Sequence, residues 1–161
     1  MQIPTEPEAL HRDQVPVDLL LQADPSQERI AGYLERAHFF GLRNEASSGP
    51  GRVVAISGLL EIEQKALEIV NLAVEEVWQR RGLGRALLVH AIDFARRANA
   101  PFLRICTGNS SVGQLALYQK CGFRMQRICR DFFLKNYAEP IYENGILCAD
   151  RIVLEYGLRS D

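Results

Sequence analysis

Long apolar runs are missing from this chain. No stretch approaches the roughly 18 consecutive apolar residues of a bilayer-spanning helix, which excludes such a helix. Cysteine is scarce and scattered: Cys106, Cys121, Cys129 and Cys148 fall in no CxxC pair. His11, His38 and His90 are far apart in sequence. These spacings exclude the usual zinc sites, and no metal is expected. Thiols without paired spacing read as reduced cysteines of a cytoplasmic protein rather than as a disulfide framework. An excess of charge is lacking too. Lys and Arg number 19 against 20 Asp and Glu, a net charge of −1, so nothing points to nucleic acid or an anionic membrane. The opening MQIPTEPEALHRDQ has neither the positive start nor the apolar core of a signal peptide, again a cytoplasmic pattern. What is present suits a globular protein with a core. The chain has 161 residues, 47% hydrophobic and 24% charged, which predicts one domain with a polar arm at 1–14.

Periodicity lays out the elements. Pro16 precedes VDLLLQA (17–23), a short apolar run that predicts a first strand. Asp24-Pro25-Ser26-Gln27 has the composition of a helix start, with Asp24 as N-cap and Pro25 in the first helical position. Ile30, Tyr33, Leu34 and Ala37 then make one apolar face. A second strand is predicted over 39–45, a turn at Ser47-Ser48-Gly49-Pro50-Gly51, and a third strand over 52–62 with Gly58 as a bulge position. A fourth strand over 66–74 completes an antiparallel meander. Leu83, Leu87, Ala91, Phe94 and Ala98 predict a helix that ends at Asn99-Ala100-Pro101, before a fifth strand over 102–106. Strand–helix–strand over 66–106 implies a parallel crossover. A helix over 112–121 stops at Gly122 in the C′ position. Residues 123–133 read as a strand, 136–145 as a loop with two tyrosines and two glutamates, and 151–156 as a last strand. The fold class is a mixed α/β (α+β) sheet in the order β-α-β-β-β-α-β-α-β-β.

The chemistry gathers between Leu67 and Leu88. Leu67 to Val74 is apolar apart from Glu68 and Asn71. Gln79-Arg80-Arg81-Gly82-Leu83-Gly84-Arg85-Ala86 then opens the long helix. Backbone N–H groups at a helix start point outward with partial positive charge and bind anions. Gly82 and Gly84 let an anion close to the backbone, and Arg80, Arg81 and Arg85 add full charge. A phosphate-bearing ligand across the end of the fourth strand is the sharp reading. A strand-to-helix turn with a solvated basic face is the plain one. The loop Thr107-Gly108-Asn109-Ser110-Ser111 leaves the fifth strand at the same end, at a topological switch where open sheets bind ligands. Glu68 is either an acid–base group or an exposed cross-strand charge. Strand alternation puts Asn71 on the face opposite Glu68 unless a bulge intervenes.

At this point the residues resemble a family. Gln79-Arg80-Arg81-Gly82-Leu83-Gly84 fits the Q/R-x-x-G-x-G/A motif of the GNAT superfamily of N-acetyltransferases. Leu117-Tyr118-Gln119-Lys120-Cys121-Gly122-Phe123 is similar to its second signature, L-Y-x-K-x-G-F. The resemblance covers roughly residues 15–157. It implies the GNAT fold, with strands four and five as a splayed parallel pair. It implies acetyl-CoA as co-substrate and an amine of a small molecule or protein as acceptor, attacked directly in a ternary complex. Gln79, Arg80, Arg81, Gly82, Leu83, Gly84, Arg85 and Ala86 would wrap the pyrophosphate. The backbone of Leu72, Ala73 and Val74 would pair with the pantetheine arm, the Val74 N–H polarising the thioester carbonyl. Tyr118 would protonate the departing thiolate and Glu68 would serve as base, with Glu75 and Glu76 as runners-up.

Many members carry an Asn seven residues before the Tyr. This chain has Ser111 there, with Asn109 two residues earlier, so Asn109 or Ser111 is expected at the pantetheine. No cysteine or serine sits in an activated constellation, so no covalent enzyme intermediate is expected. The acceptor would enter between 25–45 and 134–145, a rim whose Glu28, Glu35, Glu45, Glu139 and Glu143 suit a cationic amine. C-terminal strands of this fold often pair between subunits, which allows a homodimer. A reading of another class keeps the anion loop without catalysis, as an acyl-CoA-binding sensor or interaction module. Replacing Gly84 by Glu places a carboxylate against the pyrophosphate, so Gly84→Glu is expected to abolish acetyl-CoA binding in calorimetry. Unimpaired binding would place the site elsewhere.

Overall fold

The computed structural model describes residues 2–158. The run at 17–23, expected as a strand, is instead helix α1 (Val17–Ala23). A strand would send Leu19 and Leu20 to opposite faces, whereas the helix sets them side by side and buries both. Pro16 takes the N-cap, where its missing N–H costs nothing. The first strand lies earlier, inside the expected polar arm: β1 (Glu8–Leu10) pairs antiparallel with β2 (His38–Arg43). Three residues are too few to show a period. Between them, α2 (Gln27–Leu34) is capped by Ser26, not Asp24; the Ser26 Oγ accepts from the Arg29 N–H at 3.3 Å. Asp24 closes α1 and accepts the Ser26 N–H at 3.0 Å.

The meander continues as expected through β3 (Val53–Glu61) and β4 (Leu67–Val74). Helix α3 (Leu83–Arg97) crosses to β5 (Phe102–Gly108), which runs parallel to β4. After α4 (Val112–Lys120) comes β6 (Arg124–Cys129), shorter than the predicted strand. Asp131, at φ 59°, ends the extended chain and opens α5 (Phe132–Asn136). The expected loop at 136–145 leads into a small hairpin, β7 (Tyr142–Glu143) with β8 (Ile146–Leu147), turned by Asn144-Gly145 at φ 53° and 72°. The last strand, β9 (Arg151–Gly157), inserts between β5 and β6, giving the order β1-β2-β3-β4-β5-β9-β6.

Helices cover both faces. Leu88, Ala91 and Ala95 of α3 and Tyr118 of α4 pack with Leu67, Ile69, Leu103 and Ile105 on one side. Leu19, Leu20, Ile30 and Tyr33 pack with Phe39, Ile56 and Ala73 on the other. Two irregularities shape what lies between. Gly58 opposes Asn71 while Leu59 opposes Ile69, so Val70 is the extra residue of a bulge in β4. The bulge resets the alternation, and Asn71 joins Glu68 on the α1–α2 side, the exception the sequence left open. The parallel pairing of β4 with β5 is confined to Leu67–Leu103, Glu68–Arg104 and Ile69–Ile105. Beyond Ile69 and Ile105 the two strands part, which is the splayed mixed sheet expected. Among the described residues no helix is long and apolar enough to cross a membrane.

The helical reading of 17–23 has a direct check. Leu20 is fully buried and Val17 is 41% exposed. Leu20→Ala is expected to cost about 2–5 kcal/mol in urea unfolding, and Val17→Ala about 0.5 kcal/mol or less. Similar costs at the two positions would contradict this packing.

Candidate functional site

The opening between β4 and β5 has a polar lip. The Glu75 N–H donates to the Val54 carbonyl at 2.9 Å, and Ala73 opposes Ile56. Antiparallel alternation therefore turns the backbone groups of Asn71 and Ala73 toward β3 and those of Leu72 and Val74 toward the gap. Of the three predicted backbone contacts, Leu72 and Val74 face the gap and Ala73 faces β3. The Val74 carbonyl is taken by the Gln79 side chain, whose Nε2 donates to it at 3.0 Å. Gln79 thus ties the loop to the strand end.

Beneath the loop lies Trp78, 2% exposed and packed with Leu83 and Leu87. The Arg81 guanidinium sits 5.6 Å from the centre of its ring. Arg80 at φ 58° and Gly82 at φ 90° reverse the chain, and no side chain caps α3. The Ala86 N–H bonds to the Gly82 carbonyl at 2.9 Å, so the uncapped donors are those of Leu83, Gly84 and Arg85. Ala86 has no free donor, and the buried Leu83 side chain only anchors the turn; its backbone alone faces out. A Cβ on Gly84 would lie 3.4 Å from Leu117 and 3.9 Å from Val74, which shows how closely α3, α4 and the end of β4 converge. Arg80, Arg81 and Arg85 are exposed, and among the described residues none is paired with a carboxylate. Unspent amides and free guanidiniums at one helix start fit a pyrophosphate.

Tyr118 approaches from the α3–α4 side and is 5% exposed. Burial, and then the neighbouring Cys106, push its phenol above the ordinary range, so it stays protonated with a proton to donate. The two predicted pantetheine contacts are both engaged elsewhere. The Asn109 Oδ1 accepts the Ala149 and Asp150 N–H groups at 2.9 Å each, and its Nδ2 donates to the Leu147 carbonyl at 3.0 Å. The Ser111 hydroxyl donates to Glu143 at 3.1 Å. Asn109 locks the passage from β8 into β9, and Ser111 fixes the β7 hairpin.

Below the bulge, on the α1–α2 side, is a cluster of charges. The Glu68 Oε1 accepts from the Arg151 Nη2 at 3.1 Å, and the two side chains are 16% and 23% exposed. Cys106 lies between, its thiol 3.4 Å from Glu68 and accepting from Arg151 at 3.0 Å. Burial pushes that thiol up to about 11, so it is a packed thiol and not a nucleophile. The Arg151 guanidinium is 4.9 Å from the centre of the Phe132 ring, and that of Arg29 is 5.4 Å from it. Asp24 holds Arg29 at 3.1 Å and accepts the Tyr137 hydroxyl at 3.1 Å. The Asn71 amide donates to the Leu20 carbonyl and to the Tyr33 hydroxyl, at 3.0 Å each. Burial pushes Tyr33 and Tyr137 up to about 12. Of the runner-up acids, Glu75 is paired with Arg52 at 2.9 Å and Glu76 is exposed. Arg151, Arg29 and Phe132 carry no motif and were not readable as site residues. Their meeting depends on β9 lying beside β5 and on α5 folding back over the sheet.

A strand gap with free backbone donors, leading to an uncapped helix start lined by arginines, suits an extended carrier with a phosphate tail, as acyltransferases use. The chain belongs to the GNAT family: the model described as Acetyltransferase (GNAT) family matches residues 7–123. It is 46% identical over 137 residues, 85% of each chain, to the uncharacterized N-acetyltransferase YvbK of Bacillus subtilis. A solved structure described as an IAA acetyltransferase from Bacillus cereus is 44% identical, with a TM-score of 0.89 over 95% of this chain and 99% of that one. A GNAT family acetyltransferase from Elizabethkingia anophelis, solved with acetyl-CoA bound, is 40% identical with a TM-score of 0.88 over 95% and 97%.

Asn109→Ala removes three hydrogen bonds and strands two backbone N–H groups. It is expected to cost about 1–3 kcal/mol in unfolding while leaving acetyl-CoA affinity within about twofold. Unchanged stability with a large loss of affinity would return Asn109 to the pantetheine.

Proposed function

We propose that the protein is an N-acetyltransferase that moves the acetyl group of acetyl-CoA to an amine by direct attack in a ternary complex. The observation that carries this is the gap beyond Ile69 and Ile105, with the Leu72 and Val74 amides facing it. Such amides pair with an extended amide-bearing arm as an edge strand pairs with a peptide. Acetyl-CoA supplies such an arm, a pyrophosphate and an activated thioester carbonyl. The Leu83, Gly84 and Arg85 N–H groups and the loop arginines hold the pyrophosphate.

The carbonyl donor is better assigned to Leu72 than to Val74. Val74 lies against Gly84 at the pyrophosphate end. Glu68 is six residues away, about 20 Å along the strand, while Leu72 is two residues nearer the bulge. Its N–H polarises the carbonyl, a contribution of a few kcal/mol in the transition state. Glu68 takes a proton from the amine, directly or through one water. As the N–C bond forms and the C–S bond breaks, Tyr118 passes its proton to the departing sulfur. Cys106 stays outside the covalent chemistry. The free state of all four cysteines supports a reducing compartment, the cytoplasm.

Tyr118→Phe is expected to lower kcat on the order of 10²-fold with acetyl-CoA affinity little changed. Protonated Tyr118 is the active form, and its raised pKa keeps that form present through alkaline pH. Wild-type kcat is therefore expected to hold to about pH 10, with no loss at the ordinary tyrosine value. Unchanged turnover in the variant would remove Tyr118 from the reaction. Tight acetyl-CoA binding with no turnover on any amine would favour a sensor instead.

A further inference from the structure

We propose that the acceptor is a zwitterion, an amine with a carboxylate one carbon away, of which an α-amino acid is the simplest case, and that Arg151 selects it. This rests on the acetyltransferase reading above. Arg151 spends one nitrogen on protein partners: Nη2 serves both Glu68 and Cys106. Among the described residues, no protein acceptor meets Nε or Nη1, although the side chain is only 23% exposed. Nε and Nη1 can each give a charge-assisted hydrogen bond to a carboxylate.

Charge arrangement points the same way. Glu68 and Arg151 place a negative and a positive group 3.1 Å apart on one face of the sheet. An α-amino acid carries its ammonium and carboxylate at a similar short spacing with the signs reversed. Its ammonium sits toward Glu68, where the proton must go, and its carboxylate lies against Nε or Nη1 of Arg151. Arg29, on the same Phe132 ring, is already paired with Asp24. A diamine in this place would set its second ammonium beside the Arg151 guanidinium. The location is also apt. Cys106, which touches both charges, is the first residue of β5 beyond the last pair with β4.

The test uses the full chain and matched acceptors: several amino acids, each with its amide and its decarboxylated amine. CoA release is followed with each, and acetyl-CoA binding is measured separately by calorimetry. The amino acid is expected to exceed both analogues in kcat/KM on the order of 10²-fold. The amide's amine is less basic and more often neutral at pH 7, so reactivity alone would favour it. In Arg151→Gln the amino acid's KM rises and it loses more kcat/KM than the decarboxylated amine does, so its advantage collapses toward one. Arg151→Lys, which keeps the charge without the fork, recovers only part of the advantage. Should neither variant fold, the matched acceptors on wild type decide alone. Equal or faster turnover of the decarboxylated amines, or no turnover of any amino acid while acetyl-CoA binds, overturns the zwitterion assignment. Failure of acetyl-CoA to bind overturns the acetyltransferase reading itself.

Discussion

The parting of β4 from β5 after Ile69 and Ile105 is the constraint on which the site depends. Two parallel strands that stayed paired would spend the Leu72 and Val74 amides on each other's carbonyls and leave nothing for a ligand. The bulge at Val70 sits at the point of divergence and adds local twist, which helps lead β4 away from its neighbour. On its other edge β4 remains paired with β3 as far as Val74, so the strand that lines the gap is rigid. A rigid edge with free donors is preorganised, and donors that need no reordering contribute most to charge stabilisation.

The same parting joins the two faces of the sheet. Tyr118 belongs to the α3–α4 core and Glu68 to the α1–α2 side, and an intact sheet would keep them apart. Cys106 stands at the opening on the Glu68 side, where it touches Glu68 and Arg151 directly. The proposed proton acceptor and proton donor thus come from different elements and opposite faces. The knot of Asp24, Arg29 and Tyr137 secures α5 to the start of α2, and α5 brings Phe132 under both guanidiniums.

The parts readable in sequence were those whose chemistry is local. The Gln79–Arg85 loop needs two glycines, adjacent arginines and a helix start, all contiguous. The Leu117–Phe123 segment ends a helix at a glycine and carries Tyr118 one turn before it. The misread parts turn on context. VDLLLQA is equally apolar as strand or helix, and what decides it is that Leu19 and Leu20 both find core on one side. The three-residue β1 takes its conformation from β2, not from its own residues. Asn109 and Ser111 gain their partners from residues more than 30 positions away, and Arg151 meets Glu68 across 83. No local pattern encodes such meetings.

The central claim is that the gap edge of β4 is the seat of the acetyl-CoA arm. Residue-resolved amide exchange by NMR tests it most directly. Without ligand, the Ala73 N–H, bonded to β3, is expected to exchange slowly and those of Leu72 and Val74 quickly. Saturating acetyl-CoA is expected to slow Leu72 and Val74 strongly and leave Ala73 unchanged. Leu72 and Val74 exchanging at the same rate with and without acetyl-CoA would contradict it.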